Sequence, residues 1–328
     1  MIYLRKGKHF WLITNIRWVH KQIGQQLKDY FSIIYIMSFE LKIRELISDN
    51  YSGSAAILDK IIRSIQTYIN NREIDQEYLR LNLDKITNHF PDLAVLHHFM
   101  QQFYDLLDEA TQNEWPVAKT ITRIERFIST YNLTWNESIG QAAERMERLV
   151  KFQNKRILLH SNSSSIHVLF EHLATHNIFP SVYQTMSGPV YEGKLQARAL
   201  SDLGCKVHFI NEAAIGRFIH EIDFAVMGAD NVFTDGFTNK VGTYPIALVC
   251  REAKKPFYVI CDSRKRSPLD FNSRVHAIFE PEEAKSELWH DAPKTITPVN
   301  YYFEFTRKNL VTAYFFEDTW WDLSKEGA

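Results

Sequence analysis

Residues 227–244 read MGADNVFTDGFTNKVGTY. The apolar run Phe224–Met227 leads into this stretch and reads as a buried strand, and a helix is expected from Thr243 to about Ala253. Between them stand Gly228, Gly236 and Gly242, Asp230 and Asp235, Asn231 and Asn239, and Lys240. A short apolar strand, a polar turn containing glycine and then a helix is how an open α/β sheet forms a ligand crevice at its strand ends. Asp230 falls at the mouth of that crevice. Lys240 supplies a cation beside it, and the amides near Gly242 are placed to face an anion. The stretch points to a small-molecule site for a phosphorylated ligand. Asp235-Gly236 reads as a hairpin turn, which gives Asp235 a structural role.

Outward from this stretch, Arg156–His160 (RILLH), Ser181–Thr185 (SVYQT), Lys206–Ile210 and Phe257–Cys261 are further strand candidates. Helices are expected over Ser165–Thr175, Tyr191–Leu203 and Ala213–His220. Strands alternating with helices at this spacing imply βαβ units and a parallel sheet covered on both faces. No GxGxxG follows the first strand, so no dinucleotide cofactor is expected, and no other cofactor is indicated. From Ser38 to about Gln153 the pattern is helical. Ala55, Leu58, Ile61, Ile62 and Ile65 recur at helix spacing, and Leu81, Ile86, Phe90, Leu93, Leu96, Phe99, Phe103 and Leu107 continue it. Pro91 and Pro116 punctuate the series, and Asn136–Lys151 reads as a separate amphipathic helix. The fold class is α/β, a helical N-terminal domain (37–153) followed by a Rossmann-like parallel-sheet domain (154–328) for ligand binding and dimerisation. Residues 1–36 lack a clear period. They read either as a leader preceding a true start at Met37 or as an ordinary N-terminal helix.

Composition narrows the function classes. Lys+Arg number 38 against 39 Asp+Glu, so no broad nucleic-acid-binding face is expected. Cys205, Cys250 and Cys261 are odd in number and show no CxxC spacing, which fits a reducing, cytoplasmic compartment. No apolar run approaches a transmembrane length, so no membrane partner is expected. His172 and His176 share helical spacing, but no third ligand is placed beside them; a solvated helix face is expected and no metal site. The aromatic tail Val299–Leu323 reads as domain core with part of a dimer contact.

Two other loops fall at strand ends. His160–Ser165 (HSNSSS) sets His160, Ser161, Asn162, Ser163 and Ser164 between a strand and a helix. Such hydroxyls and amides bind phosphate, and they also serve as simple helix caps. Thr185–Lys194 (TMSGPVYEGK) carries a Gly-Pro turn, then Glu192 and Gly193 at a helix start. Each loop is ambiguous alone, but three of them at neighbouring strand ends converge on one crevice.

Together these loops resemble the family that joins the alpha, beta and delta subunits of translation initiation factor 2B with the isomerases of methylthioribose-1-phosphate and ribose-1,5-bisphosphate. GADNVFTDGFTNKVGTY is similar to the family's GAD, short turn and NK-[IV]-GTY signature. SGPVYEG resembles its S-R-P-x-x-E/Q-G element, Pro298–Val311 its C-terminal Asn-aromatic-acidic segment, and Asp49–Ala55 (DNYSGSA) an N-terminal turn. In the isomerase branch the resemblance implies a cysteine after the strand-end histidine and an aspartate in GAD, which move protons as an aldose phosphate becomes a ketose. Asp230 matches that aspartate and His160 that histidine, whereas Ser161 stands in the cysteine position. A thiol titrates near physiological pH and a serine hydroxyl does not. Gly188 replaces the usual arginine, and Ser52-Gly53-Ser54 stands where isomerases carry an Arg-Gly or Arg-Ala phosphate contact. Lys240, Asn239 and Gly242 match. Cys261-Asp262-Ser263-Arg264-Lys265 resembles the Cys-Glu-Thr-Tyr-Lys element of the regulatory subunits, and Cys261 is not expected to replace the nucleophile. The resemblance implies a regulatory-type protein that binds a sugar phosphate or nucleotide phosphate and forms a homodimer or higher homo-oligomer. The alternative is an aldose–ketose isomerase using Asp230 and Ser161, and a third reading is a pure interaction module with a protein partner.

Overall fold

A computed structural model of the chain describes residues 39–49, 52–70, 74–91, 93–271 and 284–322. The expectations for residues 1–36 and for Met37 lie outside them. Five helices come first: α1 (39–47), α2 (Ser54–Ile69), α3 (Gln76–His89), α4 (Ala94–Gln112) and α5 (Val117–Leu149). Helix α2 buries Ile57, Leu58, Ile61, Ile62 and Ile65 along one stripe, as its spacing requires. Helix α3 is started by Asp75, whose carboxylate accepts the Tyr78 N–H at 2.9 Å. Leu81 departs from the expected inward set: it is 58% exposed, because α3 turns Leu79, Leu83 and Ile86 to the core instead.

The expected helix at 136–151 is the second half of α5, which runs unbroken for 33 residues from Pro116. Its first half gives Ile124, Ile128 and Tyr131 to the helical core. Its second half gives Ile139, Ala142, Ala143 and Met146 to the core of the sheet. One continuous helix therefore contributes to both cores.

The sheet domain contains β1 (Arg156–Leu159), α6 (Ser164–Thr175), β2 (Ser181–Thr185), α7 (Gly193–Asp202), β3 (Val207–Ile210), α8 (Ile215–Phe218), β4 (Phe224–Met227), β5 (Asn231–Val232), β6 (Gly236–Lys240), α9 (Thr243–Glu252), β7 (Phe257–Ile260), β8 (Phe303–Arg307), β9 (Ala313–Phe315) and β10 (Trp320–Asp322). The main sheet has the order β10-β9-β7-β4-β1-β2-β3, parallel except for β10 at one edge. Alternate residues of its strands serve opposite faces. Ile157 and Leu159 join the core under α5 and α6, while Leu158 joins the core under α8 and α9. Ala213–His220 shortens to a 3₁₀ turn (Glu212–Ala214) and the single turn α8.

The polar stretch after β4 is not a plain turn. β5 and β6 form an antiparallel hairpin, with Asp235 in its loop, and β6 pairs with β8 in a second, three-stranded sheet. Of the aromatic tail, Tyr314, Phe315 and Phe316 are fully buried while Tyr301 remains exposed. Cys205, Cys250 and Cys261 are free and buried. Among the described residues no helix is long and apolar enough to cross a membrane.

Strand order places the site. From β1 the chain moves outward to β2 and β3, then returns past β1 to β4 and β7. The order reverses between β1 and β4, and a crevice opens at their carboxyl ends. Ser161 follows β1 and Asp230 follows β4.

Candidate ligand-binding site

At that crevice lies a cavity of about 280 Å³ between the sheet domain and the N-terminus of α2. Ser161, Asn162, Ser163, Ser164, Glu192, Asp230, Asn239 and Lys240 all line it. His160, Gly193 and Gly242 do not; they hold the walls from behind.

The loop after β1 is fixed by its own polar network. Ser161 takes a left-handed φ of 67°. Its N–H donates to Ser187 Oγ at 2.7 Å, and its hydroxyl donates to Glu192 Oε1 at 3.0 Å. The Ser163 N–H donates to Gln196 Oε1 at 2.8 Å, Gln196 donates to Gln184 Oε1 at 2.8 Å, and Gln184 donates to the Ser161 carbonyl at 3.1 Å. His160 is buried behind this loop. Its Nε2 lies 2.8 Å from the Val241 carbonyl, which can only accept, so Nε2 carries the hydrogen. Its Nδ1 then accepts from Thr185 Oγ1 at 2.7 Å. Burial pushes this imidazole down to about 4, which keeps it neutral.

Asp230 sits deep in the crevice with part of its surface open to the cavity. Burial raises its carboxyl above the usual range, opposed by Lys265, by a hydrogen bond from Ser54 and by Lys240. The Lys265 ammonium donates to the Ala229 carbonyl at 2.5 Å. Lys240 Nζ stands 3.4 Å from Glu192 Oε1 and 4.4 Å from the centre of the Tyr302 ring. Burial raises Glu192 and lowers Lys240, and in each case the charge of the other opposes the shift.

Two helix N-termini meet at this cavity. The residues at the starts of α2 (Gly53, Ser54) and α6 (Ser163, Ser164) line it, and neither helix has a side-chain cap. Gly53 brings the two loops together, since a Cβ there would lie 3.2 Å from the Asn162 carbonyl. Three lining residues also carry buried polar atoms without a hydrogen-bond partner: Asn162 Oδ1, His167 Nε2 and Glu192 Oε2.

The start of α9 is occupied differently. The N–H groups of Gly242 and Tyr244 both donate to Glu304 Oε1, at 2.7 and 2.8 Å. The amides expected to face an anion are thus taken by a carboxylate on β8. Replacing Glu304 by alanine leaves two partly buried amides without that acceptor, an expected cost of about 1–3 kcal/mol. A urea midpoint lowered with unchanged slope would show it; a change under about 0.5 kcal/mol would mean that another acceptor serves α9.

The sequence pattern of the Initiation factor 2 subunit family matches residues 50–318. The chain belongs to that family. Within it, a translation initiation factor eIF-2B subunit 2-like protein of Pyrococcus furiosus is 37% identical over 143 residues, 43% of this chain and 52% of that protein. A ribose 1,5-bisphosphate isomerase of Methanocaldococcus jannaschii is 30% identical over 202 residues, 61% of this chain and 64% of the isomerase. The chain thus spans less than two thirds of either relative. The crystal structure of 5-methylthioribose 1-phosphate isomerase from Pyrococcus horikoshii superposes with a TM-score of 0.71 at 17% identity, covering 87% of this chain and 84% of the other, a likeness of fold. The family's two branches are both represented, and the match takes in every cavity residue except Asp49.

Sequence reasoning missed Lys265, His167, Tyr302 and the Gln184–Gln196 pair. Lys265 stood in the quoted CDSRK segment, and Ser54 in the N-terminal turn, but nothing local tied either to Asp230. The glutamines carry no spacing signal; only strand order brings them under the Ser161 loop.

Proposed function

We propose that this initiation factor 2 family member is a regulatory-type protein that binds a sugar phosphate or nucleotide phosphate in the Asp230 cavity. One observation carries the reading: two uncapped helix N-termini and two lysines, Lys240 and Lys265, surround a single cavity. Helix ends and ammonium groups favour an anion. Asn162 and Glu192 also line the cavity, and their side-chain oxygens are acceptors suited to the hydroxyls of a polyol attached to it. The family resemblance adds a homo-oligomer and a protein partner to this proposal.

The position of Asp230 favours a second reading, an aldose–ketose isomerase for a ribose-1-phosphate ester. A carboxyl raised by burial and open to the ligand is suited to carry a proton between adjacent sugar carbons. Ser161 stands beside Glu192, an acceptor for its hydroxyl proton.

One experiment addresses both. Ribose-1,5-bisphosphate and methylthioribose-1-phosphate are followed by NMR with the parent chain, Lys240→Met and Asp230→Asn. The binding reading expects line broadening without product, with affinity about tenfold weaker in Lys240→Met. Ketose signals that fall about 100-fold or more in Asp230→Asn would replace it with the isomerase. Absence of both broadening and product would defeat both readings.

A further inference from the structure

A second cluster lies away from the cavity, where the C-terminal ends of α5 and α6 pack together. Glu147 Oε2 lies 2.6 Å from His172 Nε2 and 2.9 Å from His176 Nδ1. These three donor atoms all lie within 4.8 Å of one another. The two rings are 4.7 Å apart and nearly perpendicular, at 86°. The sequence presented the histidines as a solvated helix face because no third ligand stood near them. The third group comes from α5, which packs Ala143 and Met146 against Leu169 and Leu173 of α6 in one core.

Two imidazole nitrogens and one carboxylate oxygen are the donor set of a borderline divalent ion such as Zn²⁺. Bonds of about 2.0–2.2 Å in a tetrahedron set such donors roughly 3.3 Å apart. Reaching that geometry opens the two short contacts slightly, with the histidine nitrogens already within 4.8 Å of each other. Side-chain rotation on a half-open surface allows this: the His176 side chain is 51% exposed, while those of His172 and Glu147 are 21% exposed. The exposed side leaves a fourth position for water. The nearby Arg148 does not compete for Glu147, since it pairs with Glu144 at 3.3 Å.

We propose that Glu147, His172 and His176 form a binding site for a zinc-class divalent ion. Its place argues for a structural clamp. The cavity lies at the start of α6 and the cluster at its end, about 18 Å along the helix. An ion there fastens α5, the helix shared by both cores, to the sheet domain, and it has no contact with the ligand site.

The test uses the untagged full-length chain, stripped of metal, with His172→Ala, His176→Ala and Glu147→Gln. Zn²⁺ is titrated by calorimetry, and Co²⁺ is followed by visible absorption. The expected result is one ion per chain, bound about tenfold or more weakly in each variant. The Co²⁺ bands should be weakened or lost in the variants, and the melting midpoint should rise with Zn²⁺ in the parent alone. Loss of hydrogen bonds lowers a variant's midpoint with or without metal, so the metal-dependent rise is the readout. Substoichiometric binding, or equal binding in parent and variants, would overturn the proposal and leave a hydrogen-bonded triad only.

Discussion

Replacing Asp262 by alanine is expected to lower the folding stability by about 3–5 kcal/mol. Asp262 lies just beyond β7, caps the 3₁₀ turn Ser263–Lys265 and faces Arg264 in that turn. The guanidinium donates Nε to Oδ1 at 2.8 Å and Nη2 to Oδ2 at 2.9 Å, a two-pronged pair. The side chains are only 4% and 9% exposed, so both charges have left water. Arg264 also stacks on Trp135 at 4.7 Å and on Tyr131 at 5.6 Å, both on α5. Removing the carboxylate strands the guanidinium between those rings. Burial alone would raise the Asp262 carboxyl, but the hydrogen bonds and charge of Arg264, helped by Lys265, hold it below the usual range. Its contribution is therefore fully present above the ordinary carboxylate range, about 3.9, and is lost as pH falls through the lower folded value. Urea unfolding at neutral and acid pH measures both effects. The double variant Asp262→Leu/Arg264→Met is the control, because an apolar pair of similar size should recover most of the loss. A loss under about 1 kcal/mol in the single variant would mean that the pair is solvated as surface pairs are.

Gly193→Ala is expected to cost about 3 kcal/mol and, with the proposed function, to abolish phosphate-ester binding. A Cβ at this position would stand 2.1 Å from the Thr185 carbonyl, 2.9 Å from the Met186 carbonyl and 2.9 Å from Ser187 Oγ. Two of these are backbone atoms at the end of β2 and cannot rotate away. Relief requires α7 to withdraw from the strand. That motion pulls on Glu192, the preceding residue, and on the Thr185 and Ser187 hydroxyls that hold His160 and the Ser161 amide. Gly140→Ala is the contrasting case. It lies in α5 with nothing within 4 Å of its Cβ position, and alanine should stabilise by about 0.5–1 kcal/mol. Chemical denaturation of both variants, with phosphate-ester binding measured beside it, tests the pair. Equal stability in the two would refute the close-packing argument.

Much of the architecture was legible because burial along one element repeats with that element's period. RILL, SVYQT, FAVM and FYVI stand out as apolar or β-branched runs, and each is a strand of the parallel sheet. Ser161 and Asp230 were recognisable as residues following such strands, and sheet topology brings strand ends together. The motifs in 227–244 and 187–193 carried the family resemblance, since a long pattern of glycines and polar residues rarely arises from packing needs alone. Local periodicity says nothing about partners distant in the chain. GFTNK alternates too weakly to announce a strand, yet β8 pairs with it from residues 303–307 and buries Lys240 and Asn239. Glu304 on that same strand takes the amides of α9, so the helix starts without a side-chain cap at the cavity are those of α2 and α6. The composition and order of these residues determined the helical region, the parallel sheet after it and the strand ends where a site would form. Tertiary structure alone decided which polar groups there are already satisfied and which are left without a partner, because a hydrogen bond or ion pair depends on where the whole chain places its two ends.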